Sequence, residues 1–360
     1  MSSFMRFSIC ATYCTLSALH DPALRVVIQI APAVRVALGE AFGLAPGTNV
    51  LDKMVAALKL MGADEVYDTT FAADMTVMEE TAEFLQRLET GGPFPMFTSC
   101  CPAWIRYLEK EDPKYLHNIS TCKSLMQMFS ALLRAQQKEG DKKLYHIAIM
   151  PRTAKKMEAG RSEFTHDGQP DVDLVLTTQE FIRMIKEAGI RFNKLPDEAP
   201  DMPFGLGTGA GVIFGTTGGV AEAVVRRVME SESRNTLQEI ADSGVRGMEG
   251  VRAVELPVGE KTIRVGVVHG LKNARQLIAK MEAGEEHFDL VEVMTCTTGC
   301  VCGAGQPIGR KEQKYARAKG LYEADRKTLI KSSQHDPILK TLYEKLPPEK
   351  AHELLHVHYP

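Results

Sequence analysis

Short β-branched runs alternate with amphipathic segments along most of the chain. The β-branched runs predict strands at Val26–Ala31, Leu144–Met150, Val172–Leu176, Thr262–His269 and Phe288–Met294. Helical apolar spacing predicts helices over Val50–Gly62, Thr76–Leu88, Gln179–Ala188 and Lys272–Ala283. Thr177 or Thr178 is the expected cap of the third of these helices. This strand–helix–strand rhythm indicates an α/β fold with largely parallel strand pairing.

A Gly-rich run, Gly205–Gly219, separates two halves that both contain strands and helices. We therefore expect two α/β lobes, with a cofactor held in the cleft between them. Dinucleotide binding by this run is disfavoured, because it follows no clear strand. Its best match to the dinucleotide motif is G-x-G-x-x-A at Gly205, Gly207 and Ala210.

The charged tail after about Gly309 is predicted to be helical. It ends in a His-rich segment that contains His352, His356 and His358. These histidines could bind a metal ion on a C-terminal helix turn. Structural or solvent-facing roles are the favoured interpretation, because most histidines in such positions have them.

The composition is that of an ordinary soluble protein, with 360 residues, 44% hydrophobic, 25% charged and a net charge of −3. This balance gives no reason to expect a nucleic-acid or membrane partner. Apolar runs fall short of the roughly 20 residues that span a bilayer. The first 20 or so residues lack a charged n-region and a small-residue cleavage site, so we predict no export signal and a cytoplasmic location.

The eight cysteines are clustered rather than spread along the chain. Secreted disulfide scaffolds are usually small and have cysteines throughout. Clustered cysteines in a long chain favour metal or redox chemistry in a reducing compartment. Metal or cluster binding is therefore preferred over buried, incidental thiols.

Three segments carry the candidate chemistry. The first is Thr98-Ser99-Cys100-Cys101-Pro102-Ala103-Trp104, in which adjacent cysteines point in different directions and so allow one thiol to bind a cluster while the other faces a substrate. The second runs from Met294 to Pro307 and holds Cys296, Cys300 and Cys302 in a Gly-rich turn, where backbone N–H groups can approach cluster sulfurs. The third segment follows a predicted strand, as site loops in α/β folds do, and reads Met150-Pro151-Arg152-Thr153-Ala154-Lys155-Lys156-Met157-Glu158. Taken alone, it would be interpreted as a solvated basic loop.

Together these segments resemble the three signatures of the iron-only (FeFe) hydrogenase catalytic domain. The family patterns are TSCCPxW, MPCxxKxxE and a C-x-x-x-C segment that runs into GGGxP. Further segments are similar to the family, at 30–35, 71–76, 209–215 and 351–356. The resemblance covers about 22–360 and leaves 1–21 as an N-terminal extension, without the ferredoxin-type domains that some members carry.

The resemblance implies an H-cluster, which is a 4Fe–4S cubane joined through one cysteine sulfur to a di-iron centre with CO, cyanide and a dithiolate amine. It implies that Cys101, Cys296 and Cys300 ligate the cubane and that Cys300 bridges to the di-iron centre. Cys100 would pass protons to and from the amine, and Lys155 would hydrogen-bond a cyanide. The pocket walls would be Ala31, Pro32, Met150, Phe214 and Met294.

A proton relay is also implied, from Cys100 through Glu80, Ser120 and Glu83 to Arg87 near the surface. Glu80, Glu83 and Arg87 are spaced i, i+3, i+7, so one helix face can present all three. Without the resemblance, the same residues would be interpreted as a solvated charged face.

Position 152 departs from the family, because an arginine stands where the fourth cubane cysteine is expected. Arginine stays protonated and offers no lone pair, so it cannot bind iron. It could instead donate hydrogen bonds to the cluster and raise its reduction potential. Cys302 or Cys122 could replace the missing thiolate, although the CxC spacing makes Cys302 an awkward donor to the same cubane.

Two functional hypotheses follow. The first is an enzyme that reversibly reduces protons to H2, with electrons from ferredoxin or a similar carrier and a cluster supplied by maturation proteins. The second is a non-catalytic relative, sensory or engaged in iron–sulfur assembly, that holds a partial cluster. The relay favours the enzyme, because a scaffold has no need of one, whereas Arg152 favours the alternative.

Overall fold

The computed structural model describes residues 3–138, 140, 142–166, 168–229, 233–258 and 261–359. Its strands are β1 Leu24–Ile30, β2 Glu65–Asp68, β3 Met96–Phe97, β4 Lys143–Met150, β5 Thr165–His166, β6 Gln169–Pro170, β7 Leu174–Thr177, β8 Val251–Val258, β9 Lys261–His269 and β10 Leu290–Met294. Its α-helices are α1 Ser3–Leu19, α2 Leu51–Leu60, α3 Thr70–Thr90, α4 Pro102–Glu111, α5 Leu125–Ala135, α6 Ala154–Ala159, α7 Thr178–Glu187, α8 Gly209–Val212, α9 Gly219–Val228, α10 Arg234–Ile240, α11 Leu271–Glu282, α12 Lys311–Lys327, α13 Pro337–Lys345 and α14 Pro348–Leu355.

The first sheet has the order β2-β1-β4-β7, and all its neighbouring strands are parallel. Its strands are nearly continuous apolar runs, as expected of parallel strands that are covered on both faces. The predicted strands at 26–31, 144–150 and 172–176 are confirmed with small shifts in their ends. The cap of α7 is Thr177, whose side chain and Glu180 form a reciprocal capping box.

The second sheet has the order β3-β10-β9-β8. β10 lies parallel to both β3 and β9, whereas β8 is antiparallel to β9. The sequence analysis missed β8, although its residues alternate between exposed and buried along most of its length. β3 precedes the Gly-rich run in the chain but belongs to this second sheet, so the first half of the chain contributes to both sheets.

The predicted N-terminal extension, 1–21, consists largely of α1 where the structure describes it. Ala11, Ala18 and Leu19 are buried in the same apolar cluster as β1 and α7, so this helix closes one side of the first sheet. Across the described ranges, no helix is both long and apolar enough to cross a membrane.

The Gly-rich run forms short helices that lie against α3. Thr208 caps α8, and its hydroxyl and backbone N–H both donate to the buried carboxylate of Asp74 on α3. A side chain at Gly211 would collide with the Thr70 carbonyl oxygen, 2.6 Å from the ideal Cβ position. The glycines therefore allow close helix packing, which agrees with the rejection of dinucleotide binding.

Candidate active site

Three loops at the carboxyl ends of parallel strands form the candidate site. One follows β3 and carries Cys100 and Cys101, one follows β4 and carries Arg152 and Lys155, and one follows β10 and carries the remaining cysteines of the motifs. β4 belongs to the first sheet and the other two strands to the second. Ligand sites in parallel α/β sheets form outside these ends.

Cys100 and Cys101 point in different directions, as their adjacency predicts. Cys101 is fully buried as the residue before α4, and its carbonyl accepts from the N–H of Trp104 at 2.9 Å. Pro102 occupies the first turn of α4, where the missing N–H is harmless. Trp104 is fully buried and packs on Phe97, which anchors the turn.

The loop after β10 depends on glycine at two positions. Gly299 has a φ of 96°, a left-handed conformation that favours glycine, and it delivers Cys300 into a short 3-10 turn. At Gly303 an ideal Cβ would lie 2.2 Å from the Pro151 carbonyl oxygen. The absence of this side chain lets the cysteine loop approach the loop that holds Arg152.

Arg152 is buried among the cysteines and bridges two of their sulfurs. Its Nη1 donates to Sγ of Cys101 at 2.7 Å, and its Nη2 donates to Sγ of Cys300 at 2.9 Å. Burial alone would raise the pKa of Cys101, but the guanidinium and the hydroxyl of Thr295 outweigh it and lower that pKa. At Cys300 burial prevails over the guanidinium, and the thiol pKa is raised.

A small and mostly apolar cavity of about 40 Å³ lies beside this pair of hydrogen bonds. It is lined by Ala31, Pro32, Ala33, Cys100, Leu125, Met150, Pro151, Arg152, Lys155, Phe214, Gly215 and Cys300. The lining includes every pocket residue expected from the sequence except Met294. Met294 is fully buried in the adjoining apolar cluster, which also contains Phe214.

Lys155 lies on the cavity wall with its ammonium group fixed by three partners. Its Nζ donates to Oγ of Ser124 at 2.8 Å and to the Cys100 carbonyl oxygen at 3.4 Å, and it pairs with Oε2 of Glu158 at 2.7 Å. A cation in a water-poor cavity is a strong hydrogen-bond donor to an anionic ligand. Arg152 and Lys155 of the predicted basic loop are therefore buried, whereas Lys156 is partly exposed and Met157 is exposed.

The expected relay residues lie together next to Cys100. Oγ of Ser120 donates to Oε2 of Glu83 at 3.0 Å, and Nη2 of Arg87 donates to Oε1 of Glu83 at 2.5 Å. Glu80 is fully buried one turn earlier on α3, where the N–H of Ser99 donates to its Oε1 at 3.2 Å. Its Oε2 makes no hydrogen bond of normal geometry among the described residues, although the hydroxyl of Ser120 is close enough to lower the pKa of this carboxyl group. The well-formed hydrogen bonds therefore run from Ser120 to Arg87.

Burial changes the pKa values at the inner end of the relay, next to Cys100. It raises the pKa of Glu80 to about 8, with the N–H of Ser99 opposing the shift and the charge of Glu83 adding to it. Burial and the neighbouring Glu80 also raise the pKa of the Cys100 thiol well above its usual range. Both groups therefore hold protons near neutral pH, as donors in a relay must.

The two spare cysteines lie in different places. Cys302 is half-buried, accepts a hydrogen bond from Oγ1 of Thr298 at 2.7 Å and lies within electrostatic range of Cys296. Cys122 is fully buried beside the relay, where its backbone N–H donates to Oγ of Ser120 at 3.2 Å. Of the two, Cys302 is thus the one placed with the motif cysteines.

The sequence analysis missed the contact between the relay and the C-terminal segment. Oγ1 of Thr121 lies 3.1 Å from Oε2 of Glu83 and 2.7 Å from Nδ1 of His356, whose Nε2 lies 3.0 Å from Oε2 of Glu79. No local sequence pattern joins residues this far apart in the chain. The sequence offered one indication of this contact: Glu79 and Glu83 are four residues apart, so both lie on the same face of α3.

The comparisons with known proteins agree with this geometry. Residues 24–304 match the family model of the iron only hydrogenase large subunit, C-terminal domain, and residues 311–360 match that of the iron hydrogenase small subunit. The chain belongs to the iron-only hydrogenase family.

Two hydrogenases and one iron–sulfur assembly component are among the proteins that resemble this chain. The NADP-reducing hydrogenase subunit HndD of Solidesulfovibrio fructosivorans is 44% identical over 96% of this chain and 61% of its own length. A variant of the FeFe-hydrogenase HydA1 from Chlamydomonas reinhardtii has a TM-score of 0.83 and 38% identity, over 97% of this chain and 98% of that one. The cytosolic iron-sulfur assembly component 3 of Mus musculus is 30% identical, over 93% of this chain and 74% of its own length. This hydrogenase domain therefore spans about three fifths of the length of HndD.

The iron-only hydrogenases carry the H-cluster, a 4Fe–4S cluster with a di-iron subcluster. In this member of the family, the apolar lining with Lys155 and Cys100 on the wall suits the di-iron half in its chemistry, but a cavity of about 40 Å³ is smaller than that group, so its walls have to move apart to admit it. Three thiols suit the cubane half, but Arg152 offers no lone pair and competes for two of their sulfurs. The residues thus fit an H-cluster whose cubane lacks one protein thiolate.

Proposed function

We propose that this chain catalyses the reversible reduction of protons to H2. The observation that carries the proposal is the placement of Cys100 between an apolar cavity and a row of buried, hydrogen-bonded acidic residues. A site for binding or assembly alone has no use for groups that hold protons next to a water-poor cavity.

In this proposal Cys101, Cys296 and Cys300 would hold the cubane, and Cys300 would also hold the di-iron subcluster. The H-cluster would supply the redox centre and the site where hydrogen is made or split. Lys155, already fixed by Ser124, would donate a charged hydrogen bond to a ligand of the di-iron unit. The apolar walls formed by Ala31, Pro32, Met150 and Phe214, with Met294 packed in the cluster behind Phe214, would exclude water.

Protons move between Cys100 and the surface through Glu80, Ser120, Glu83 and Arg87. Glu80 takes a proton from, or returns it to, the Cys100 thiol, and its raised pKa keeps it able to do either near neutral pH. Because Oε2 of Glu80 lacks a partner in the described part of the chain, we infer that a small shift of this side chain completes the path to Ser120. From there the hydrogen bonds to Glu83 and Arg87 are in place.

We infer that electrons come from ferredoxin or a similar carrier, and that maturation proteins supply the di-iron unit. The cysteines described are free thiols, which supports a reducing, cytoplasmic setting.

One observation favours a second function, the binding or delivery of a partial cluster without turnover. Arg152 takes the place of a cubane ligand and is hydrogen-bonded to two of the remaining thiols. A cubane with three protein thiolates has an exposed iron, which suits a labile cluster. Similarity to a cytosolic iron-sulfur assembly component supports this alternative.

Infrared spectroscopy after coexpression with the hydrogenase maturation proteins separates the two functions. The enzyme predicts iron-bound CO and cyanide bands together with H2 evolution from a reduced carrier. An iron–sulfur signal with no such bands and no H2, while a hydrogenase matured in parallel is active, would instead establish the second function.

A further inference from the structure

A second group of metal-binding side chains lies at the outer end of the relay. The ligand atoms of Glu83, Cys122 and His356 all lie within 4.8 Å of one another. Carboxylate, thiolate and imidazole are the three ligand types that Zn²⁺ uses in proteins. The group does not overlap the motif cysteines, so it differs from the H-cluster site.

Two of these residues are held opposite each other by the backbone. Cys122 and His356 form an isolated antiparallel bridge. Flanking hydrogen bonds run from the N–H of Lys123 to the Leu355 carbonyl at 2.8 Å and from the N–H of Val357 to the Thr121 carbonyl at 2.7 Å. Residues that pair directly in an antiparallel bridge have their side chains on the same face. The thiol and the imidazole are therefore preorganised.

The imidazole of His356 is oriented as in known metal sites. Its Nε2 lies 3.0 Å from Oε2 of Glu79, and the other oxygen of Glu79 accepts from the hydroxyl of Tyr343. In the tautomer with the proton on Nε2, which is donated to Glu79, Nδ1 carries a lone pair that faces Thr121. The one hydroxyl proton of Thr121 then goes to Nδ1 and not to Glu83. A carboxylate behind a ligating histidine is the usual second partner of such a ligand.

The local charge attracts a cation. Glu83 is itself one of the three ligands, and Oε2 of Glu79 lies 3.0 Å from Nε2 of His356. The charges of these two carboxylates favour a divalent cation at this position. Arg87 opposes it, but its hydrogen bond goes to Oε1 of Glu83 and leaves Oε2 on the side of Thr121.

A cleft of about 430 Å³ leads from the surface to this group. Glu79, Glu83, Arg87, Thr121, His352 and His356 are among its lining residues. A cation entering here would meet Glu83 and His356 on the cleft wall, with the buried Cys122 directly behind them. Three protein ligands would leave a fourth position open to water, as in zinc sites that are not purely structural.

We propose that Glu83, Cys122 and His356 form a second metal site, specific for a thiophilic divalent cation of the Zn²⁺ class. On binding, the S–H bond of Cys122 breaks, a metal–sulfur bond forms, and the proton leaves through the cleft. The hydroxyl of Thr121 gives up its contact with Nδ1 of His356. The metal keeps its oxidation state, so no oxidant or reductant is involved.

Cobalt titration of the purified, cluster-free chain tests the site. Co²⁺ replaces Zn²⁺ and absorbs visibly when bound to thiolate, and added Zn²⁺ should displace it. The motif cysteines also bind cobalt, so the comparison is between variants. Cys122→Ser and His356→Gln should each lose one equivalent of bound metal. The matched control Cys14→Ser, with the substitution on α1, should keep it.

Glu79→Gln tests the same site without touching a ligand. Loss of the carboxylate behind His356 should lower the affinity for this one metal ion by about 10–100-fold. Circular dichroism establishes that each variant is folded. Unchanged stoichiometry and affinity in folded His356→Gln and Glu79→Gln would overturn the proposal. Because the titration measures no hydrogen turnover, a chain that makes no H2 can still confirm the site, and an active enzyme can still refute it.

Discussion

The two ends of the candidate site differ in how far they keep the family pattern. At the proton end, all five expected residues are present: Glu80, Glu83 and Arg87 lie on α3, and Cys100 and Ser120 lie beside it. At the cubane end, Arg152 stands where a thiolate is expected and bridges two of the cysteines. The first end is costly to maintain, because it fully buries the carboxyl group of Glu80.

This contrast bears on function. A buried carboxyl group such as that of Glu80, with one oxygen left without a partner among the described residues, lowers stability if it serves no proton transfer. A cluster, in contrast, can survive with one ligand changed. The comparison therefore favours an enzyme with a modified cubane over a scaffold with a vestigial relay.

The strongest test of the proton end is Cys100→Ala. A methyl group cannot relay protons, so H2 turnover should fall by about 10²–10⁴-fold. Iron content should stay at the parent level, because Cys100 is not assigned as a ligand. Cys14→Ala serves as the control for loss of a thiol elsewhere. Parallel losses of iron and activity in Cys100→Ala would make it a ligand and undo the division between the two cysteines.

The burial of Glu80 predicts a pH-dependent stability. Its folded-state pKa of about 8 lies above the usual value for a glutamate of about 4.3, so the folded state keeps a proton that the unfolded state releases. The parent should therefore lose a few kcal/mol of unfolding free energy between about pH 4.3 and 8 from this group alone. Glu80→Gln removes that loss.

Urea unfolding of the cluster-free protein at about pH 5 and pH 8 measures this effect. Glu80→Gln should gain stability relative to the parent as the pH rises. The exposed residue Glu353, changed to Gln, controls for loss of a carboxylate. A constant difference between Glu80→Gln and the parent at both pH values would show that Glu80 is not protonated in the folded state near neutrality.

The sequence predicted the parallel layers well, because their strands are dense β-branched runs joined by amphipathic helices. It could not predict β3, which has only two residues. β8 was missed even though Val251–Val258 largely alternates between exposed and buried residues, a pattern that period-two analysis could detect. The motifs identified the three site loops. The hydrogen bonds of Arg152 and the contact of His356 with the relay could not be predicted, because both depend on tertiary placement.

Gly303→Ala tests how closely the cubane end is packed. Its Cβ would lie 2.2 Å from the Pro151 carbonyl, so the cysteine loop or the Arg152 loop has to shift. We expect a loss of about 1–3 kcal/mol in unfolding free energy. Gly160→Ala is the matched control, because its nearest contact would be 3.7 Å away. Equal effects of the two substitutions in urea unfolding would argue against tight contact between the loops.

Arg152→Cys tests whether the cubane end lacks a ligand, which is the basis of the contrast between the two ends. A fourth thiolate in place of the guanidinium should complete the cubane and lower its reduction potential. Iron content after reconstitution should rise several-fold, which corresponds to about 1 kcal/mol. The rival explanation is that Cys302 or Cys122 already supplies the fourth thiolate. It predicts no gain in Arg152→Cys and loss of the cluster in Cys302→Ser or Cys122→Ser.

Arg152→Ala separates the two ways in which arginine can act. It removes the hydrogen bonds to Cys101 and Cys300 without adding a ligand. If Arg152→Ala gains as much iron as Arg152→Cys, the parent binds less iron because the arginine competes for the sulfurs. If only Arg152→Cys gains iron, the parent binds less iron because its cubane lacks a fourth ligand. Iron content and electron paramagnetic resonance of these variants, reconstituted side by side, decide between the cases. Parent-level iron and an unchanged spectrum in Arg152→Cys would mean that the cubane end is already complete, and the contrast between the two ends would disappear.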